Sequence, residues 1–135
     1  MTLTDADRAF LERPCYMRLA TLMPDGSPQI TVLWYRLAGD ALHVVCPESA
    51  QKVKNLDRDP RAAALFEDPE SPQRYIELRG RCEVIRDDAG ARRELVPIAR
   101  RYVGDEAEAR AAGLSSDPRV ILRFTPERVF RRGVG

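Results

Sequence analysis

Three segments of alternating apolar and polar residues follow one another almost without interruption: MRLATL (17 to 22), QITVLWYRL (29 to 37) and ALHVVC (41 to 46). Only MPDGSP and AGD separate them. A period of two marks strands with one face buried, and reversals this short can join only antiparallel neighbours. A meander of three antiparallel strands is therefore expected here, and it limits the rest of the chain to partners of an antiparallel sheet.

The remaining segments fit that frame. Thr4 is placed to cap a short helix over DADRAFLE, with Asp5 and Asp7 near its positive end and Pro14 closing it. Ser49 is placed to cap a second helix over about 50 to 57, where Val53 and Leu56 face inward, Lys52 and Asn55 share a neighbouring face, and Pro60 ends the run. RAAALFE (61 to 67) and RYIELRGRCEVIRD (74 to 87) read as strands parted by the turn residues DPESPQ, with Gly80 marking a bulge or bend. From about 88 to 103 the apolar spacing becomes helical, with Pro97 predicting a kink and Gly104 a C-cap. A short helix over DEAEARAAGL and a last strand in two parts, RVILRF and ERVF, complete the chain.

The fold class expected is mainly β, a β-barrel with α additions: a six- to seven-stranded antiparallel split barrel of Greek-key type with short flanking helices. The 135 residues are expected to form one domain spanning 1–135. No G-x-G-x-x-G follows a strand, which counts against a dinucleotide fold.

Several functions are disfavoured by composition. With 22 basic and 21 acidic residues the net charge is +1, so no global field attracts nucleic acid or an acidic membrane surface. No apolar run reaches the roughly 20 residues of a membrane span, and MTLTDADRAF is acidic where a signal peptide needs basic and then apolar residues. A cytoplasmic location is expected. Cys15, Cys46 and Cys82 form no C-x-x-C pair and His43 is the sole histidine, so neither a disulfide framework, a zinc site nor a usual nucleophile triad is expected. His43 reads as a surface or satisfied histidine and the cysteines as small core residues. No catalytic side chain and no metal ligand stands out, and chemistry, if any, falls to a cofactor.

The two lysines of the chain, Lys52 and Lys54, both lie in the second predicted helix, while the other twenty basic residues are arginine. A compact ammonium in the first turn of a helix adds to the anion preference of the backbone donors there. Arg79 and Arg81, alternating about Gly80, are weaker anion candidates that could equally pair with Glu77 and Glu83. Trp34 reads as a core or interface residue.

The wording of three segments, ATLMPDGSPQITVLWY (20 to 35), K-x-x-N-L-x-R-D-P-R (52 to 61) and Y-x-E-L-R-G-R (75 to 81), occurs in an order that resembles the split β-barrel flavin and deazaflavin proteins related to pyridoxamine 5′-phosphate oxidase. The resemblance covers nearly the whole chain and is most similar to the actinobacterial branch that uses the deazaflavin coenzyme F420. It implies a homodimer with the cofactor, F420 or alternatively FMN, in a groove between two barrels, and hydride transfer to a small conjugated organic substrate. By the same resemblance Lys52 meets the cofactor phosphate and Asn55 follows one turn later. Gln29, Ile30 and Thr31 line the ring, Tyr75 stands at the groove wall, and Val45 and Cys46 meet the tail. Ser49 and Gln51 flank the lysine, and Arg79 is a further candidate for the tail. The family commonly has an arginine just before the lysine and a serine or threonine at the end of the third strand. Ala50, Gln51, Val45 and Cys46 stand there instead, which removes donors.

Overall fold

The computed structural model describes residues 3–135. In chain order the elements are α1 (Asp5–Glu12), β1 (Met17–Leu22), β2 (Pro28–Leu33), β3 (Arg36–Ala38), β4 (Ala41–Pro47), α2 (Gln51–Arg58), β5 (Arg61–Asp68), β6 (Ser71–Ile85), α3 (Asp88–Val103), a 3-10 turn (Gly104–Glu106), α4 (Ala107–Ala112) and β7 (Arg119–Arg132). Helix α1 starts as its sequence predicts. Thr4 Oγ1 accepts from the Asp7 N–H at 3.1 Å, and Asp7 Oδ2 accepts from the Thr4 N–H at 3.0 Å.

The seven strands form one antiparallel sheet in the order β2-β1-β5-β6-β7-β4-β3. Its two edge strands, β2 and β3, are joined in the chain by Trp34 and Tyr35 alone. Laid flat, six strand spacings of about 4.8 Å separate the edges by roughly 29 Å, whereas the three peptide steps from Leu33 to Arg36 span at most about 11 Å. The sheet therefore curls until its edges approach, without pairing to each other, and a split barrel results.

This break corrects the meander expected from the sequence. Residues 29 to 37 do not form one strand: β2 pairs with β1, and β3 pairs with β4. The cause lies at Tyr35, whose backbone turns from the sheet to α3. Its N–H donates to Tyr102 Oη at 3.3 Å, its carbonyl accepts from Arg101, and its buried phenol donates to the Leu11 carbonyl at 2.8 Å. Trp34 is neither core nor free surface. It stacks on Tyr102 at 5.0 Å, with Arg110 beside its ring, and so serves as a seat for α3 and α4.

Other sequence expectations change less. Strand β6 begins at Ser71, so the predicted loop shrinks to a tight hairpin in which Asp68 accepts from the Glu70 N–H at 2.9 Å and from Arg13 and Arg74. Helix α3 continues through Pro97 and ends at Gly104, whose φ of 59° suits glycine. Strand β7 is continuous and pairs with β4 over its first half and with β6 along its length. A register shift between Arg79 and Gly80 makes Glu127 the extra residue of a bulge, since Gly80 faces Pro126 while Arg79 faces Arg128. Glycine is needed at that point: a Cβ on Gly80 would sit 2.1 Å from the Thr125 carbonyl oxygen.

Inward-facing residues of β1, β4, β5, β6 and β7, among them Leu19, Phe66, Leu78 and Phe124, make one core cluster with Tyr35 from the β2–β3 link, and Val53 and Leu56 of α2 plug one side. Arg101 fastens α3 to the open end of α1 by donating to the carbonyls of Leu11 and Arg13 at 3.0 and 2.8 Å.

Candidate functional site

Helix α2 is short and strongly two-sided, with Val53, Asn55 and Leu56 buried and Lys54 exposed. Its cap differs from the sequence expectation: the N-cap is Ala50, no side chain caps it, and Ser49 is exposed just before. Val53 and Lys54 donate to the Ala50 carbonyl, but among the described residues the N–H groups of Gln51 and Lys52 have no acceptor. Neither lysine is in an ion pair among those residues, whereas most arginines that meet a carboxylate do so within 3.6 Å. The start of α2 is thus a set of unspent donors with a free, half-buried ammonium beside it.

Next to it lies a polar knot. Asn55, fully buried, donates through Nδ2 to Thr21 Oγ1 at 3.1 Å and Gln29 Oε1 at 3.3 Å, and accepts from Gln51 Nε2 at 2.9 Å. Its amide is occupied within the protein. Asn55 and Gln51 therefore fix α2 against β1 and β2 and set where Lys52 stands. Two residues further along β2, on the same face as Gln29, the hydroxyl of Thr31 is buried with no hydrogen-bond partner among the described residues. An orphaned hydroxyl of this kind costs about 1 to 3 kcal/mol unless something else supplies a partner.

The residues singled out by sequence fall on different faces. Gln29 and Thr31 point inward beside Thr21, opposite the Thr21 and Leu19 register positions, while Ile30 points outward and is 65% exposed. Val45 and Cys46 project to opposite sides of β4. Cys46 belongs to the core, and burial pushes its thiol up to about 11 although the charges of Lys52 and Arg119 act against this. Lys52, Cys46 and the α2 start are therefore neighbours, with Val45 turned away from them. Tyr75 and Arg79 lie on the outer face of β6, across the sheet from Gln29 and Thr31. Arg79 contacts Glu77 at 3.3 Å and Phe130 at 4.7 Å, and Arg81 meets Glu127 rather than Glu83.

His43 is held on both sides. Its Nδ1 lies 2.8 Å from Glu94 Oε2 and its Nε2 2.8 Å from Arg123 Nη1, and Glu94 is also gripped by Arg36 at 2.6 Å. Because a guanidinium only donates, Nε2 accepts and Nδ1 carries the proton. Arg36, buried in part against that carboxylate, and Glu94 itself, held below the usual carboxylate range by Arg36 and His43 despite desolvation, complete a bolt between α3 and the sheet. No pattern in the sequence links Glu94 to His43 over 51 residues, and Arg101 was equally invisible. Among the described residues no group of His, Cys, Asp and Glu is arranged to hold a metal ion, and no helix is long and apolar enough to cross a membrane.

Comparison with known proteins agrees with this geometry. Residues 3–133 match the pyridoxamine 5′-phosphate oxidase family. An F420 reductase is 31% identical, with 91% of this chain and 94% of that chain covered and a TM-score of 0.68. A conserved hypothetical protein from Mycobacterium tuberculosis is 27% identical over 98% of this chain and 86% of that one, with a TM-score of 0.81. HutZ, the haem storage protein from Vibrio cholerae, shares the fold at 19% identity, with 100% and 98% covered and a TM-score of 0.74. Among curated proteins no match is found.

Proposed function

The chain belongs to the pyridoxamine 5′-phosphate oxidase family, and on that premise we propose that it is an oxidoreductase that binds the deazaflavin coenzyme F420 and reduces a small conjugated organic substrate. Reduced F420 supplies a hydride when bound. The protein's part is to bind and orient, through one domain over residues 1–135 acting as a homodimer in the cytoplasm.

The observation that carries this reading is the start of α2. Free N–H groups of Gln51 and Lys52, together with an unpaired Lys52 ammonium, suit a phosphate. The orphaned Thr31 hydroxyl and the Gln29 amide on the adjoining strand suit the polar edge of a planar ring. Likeness to an F420 reductase at 31% identity favours the deazaflavin over FMN. In this reading Ala50 and Cys46 offer a phosphate no strong side-chain donor, which leaves Lys52 with a larger share of the contact. No acid or base is assigned, because a hydride acceptor activated by conjugation needs orientation first.

Haem is a poorer fit. His43 is the only histidine, and both of its ring nitrogens are engaged.

Separate titrations of the purified protein with F420 and FMN, followed by absorbance and fluorescence, test the cofactor. Saturable binding of F420, tighter than FMN and with two sites per dimer, is expected. Tighter FMN binding replaces the deazaflavin reading, and binding of neither overturns both. Turnover is tested by single-turnover oxidation of reduced F420 with enones, quinones and nitro compounds. Light scattering that gives only the 15.3 kDa species at micromolar concentration overturns the dimer.

A further inference from the structure

The amide nitrogen of Asn55 has a third neighbour besides Thr21 and Gln29. Met23 Sδ lies 3.4 Å from Asn55 Nδ2, beside Thr21 Oγ1 at 3.1 Å and Gln29 Oε1 at 3.3 Å. Two amide protons therefore face three acceptors, of which the thioether is the weakest, and the two oxygens hold the amide while the sulfur only fills the space beside it. The backbone of Met23 is fixed at the base of the first hairpin turn. Its N–H donates to the Ser27 carbonyl at 2.8 Å, and its carbonyl accepts from the Gly26 N–H at 2.8 Å.

Met17, the other methionine among the described residues, is fully buried in the core, whereas Met23 is partly exposed. The three cysteines are buried as well. Oxidation of a sulfur side chain follows its exposure, so a peroxide in solution meets Met23 first. The sulfur lone pair attacks one peroxide oxygen, an S–O bond forms as the O–O bond breaks, and the proton of the transferred oxygen passes to the departing hydroxide to give water. Sulfur is oxidised to the sulfoxide and the peroxide is reduced. A weak acceptor has become a strong one.

We propose that Met23 is a site of reversible oxidation that controls how α2 is held against the first hairpin. An oxygen added on the side of the amide has no room at the present separation of 3.4 Å, because the N–H···O distance alone takes about 2.7 to 3.2 Å before the S–O bond is counted. The sulfoxide therefore pushes Asn55 back while competing for its protons, and the bonds to Thr21 and Gln29 loosen. Gln51, which donates to Asn55 at 2.9 Å, and Lys52 belong to the same helix and shift with it. The effect on F420 rests on the function proposed above; the effect on the knot does not.

Hydrogen peroxide treatment of the intact protein, followed by peptide mass spectrometry, tests the site. Met23 should gain one oxygen at least about tenfold faster than Met17 in the folded protein, and the two should react alike in denaturant. The oxidised protein should unfold at a lower urea midpoint with an unchanged slope. Methionine sulfoxide reductases should restore the midpoint, two thiols of dithiothreitol closing to a disulfide as the sulfoxide oxygen leaves as water. Met23→Leu, which keeps the volume without the sulfur, should show no shift of midpoint on the same treatment. F420 affinity should fall about tenfold on oxidation of the parent, the loss of roughly one good contact, and stay unchanged in Met23→Leu. Equal rates for Met17 and Met23 in the folded protein, an oxidised protein that unfolds with the parent, or an equal shift in Met23→Leu overturns the proposal. So does F420 bound equally tightly before and after oxidation. A parent that binds no F420 overturns the function proposed above, and the urea midpoints then decide the role of Met23 by themselves.

Discussion

The side-chain amide of Asn55 donates to the hydroxyl of Thr21 across 3.1 Å, and neither residue is more than 2% exposed. This bond, with those to Gln29 and Gln51, ties α2 to the first hairpin. Asn55→Ala strands the Gln51 and Thr21 partners and is expected to cost about 2 to 3 kcal/mol, read as a lowered urea midpoint with an unchanged slope. An effect under about 0.5 kcal/mol is the scale of an ordinary surface substitution and rules out a structural knot.

Lys52→Ala should weaken F420 binding roughly 10- to 150-fold, the loss of one charge-assisted phosphate contact at about 1.4 kcal/mol per decade. Lys52→Arg should recover only part of the affinity, a planar fork being a poor substitute for a compact ammonium. Lys54, exposed on the far side of α2, is the control, and Lys54→Ala should bind as the parent does. Equal small effects of the two alanine variants in a titration move the phosphate elsewhere.

Asp7 is fully buried, and its carboxylate takes two bonds of 2.7 Å from Arg131, which hold its pKa below the usual carboxylate range. Asp68 is lowered likewise by Arg13. A carboxylate depressed by folding stabilises above its unfolded pKa of about 4, and the contribution is lost as pH falls through the folded value. Acid unfolding of the parent should therefore steepen below about pH 4. Asp7→Asn should flatten that limb and cost about 2 kcal/mol at pH 7, between the values for exposed and buried pairs. Parallel stability curves for the two proteins from pH 2 to pH 6 contradict this.

Burial pushes the Cys82 thiol up to about 12, beside Cys46 at about 11, and Cys15 is buried against the phenol of Tyr35 at 3.1 Å. All three should resist alkylation by iodoacetamide at pH 8 in the folded protein and react together in denaturant, since the thiolate is the nucleophile. One thiol labelled at the rate of free cysteine would show local opening around it.

His43→Ala removes one pin of the α3 bolt, leaving Glu94 with Arg36 and freeing Arg123. A loss of about 1 to 2 kcal/mol is expected, with F420 affinity within about threefold of the parent. A hundredfold loss of affinity at equal fold content gives His43 a direct role in binding.

What the sequence made legible was local. The Thr4 cap, the burial of Val53 and Leu56 and the C-cap at Gly104 each depend on residues within a few positions, whereas the bulge expected in β6 at Gly80 lies across the ladder in β7, at Glu127. The break at Tyr35 was hidden because alternation continues unbroken from Gln29 to Leu37; the partner switch is imposed by Arg101 and Tyr102, more than sixty residues away. The helix cap was misplaced because Ser49 and Ala50 are adjacent and only the backbone decides which residue begins the turn. In the candidate site, strand parity gave Gln29 and Thr31 a common face, but that Asn55 spends its amide inside the protein, or that Arg79 stands opposite Arg128, depends on register. Register is a property of pairs of strands and is not written in either one.

Strand β7 lies in the interior of the sheet, between β6 and β4, although it follows the other six strands in the chain. Until residues 119 to 132 leave the ribosome, β4 and β6 each lack a neighbour, and their unpaired backbone edges resemble those of templates for wrong association. Synthesis from the N-terminus therefore cannot close this barrel progressively. The nascent chain waits with its helices and first hairpin able to form, and then folds in a late step of long-range pairing, the kind of step that topology makes slow.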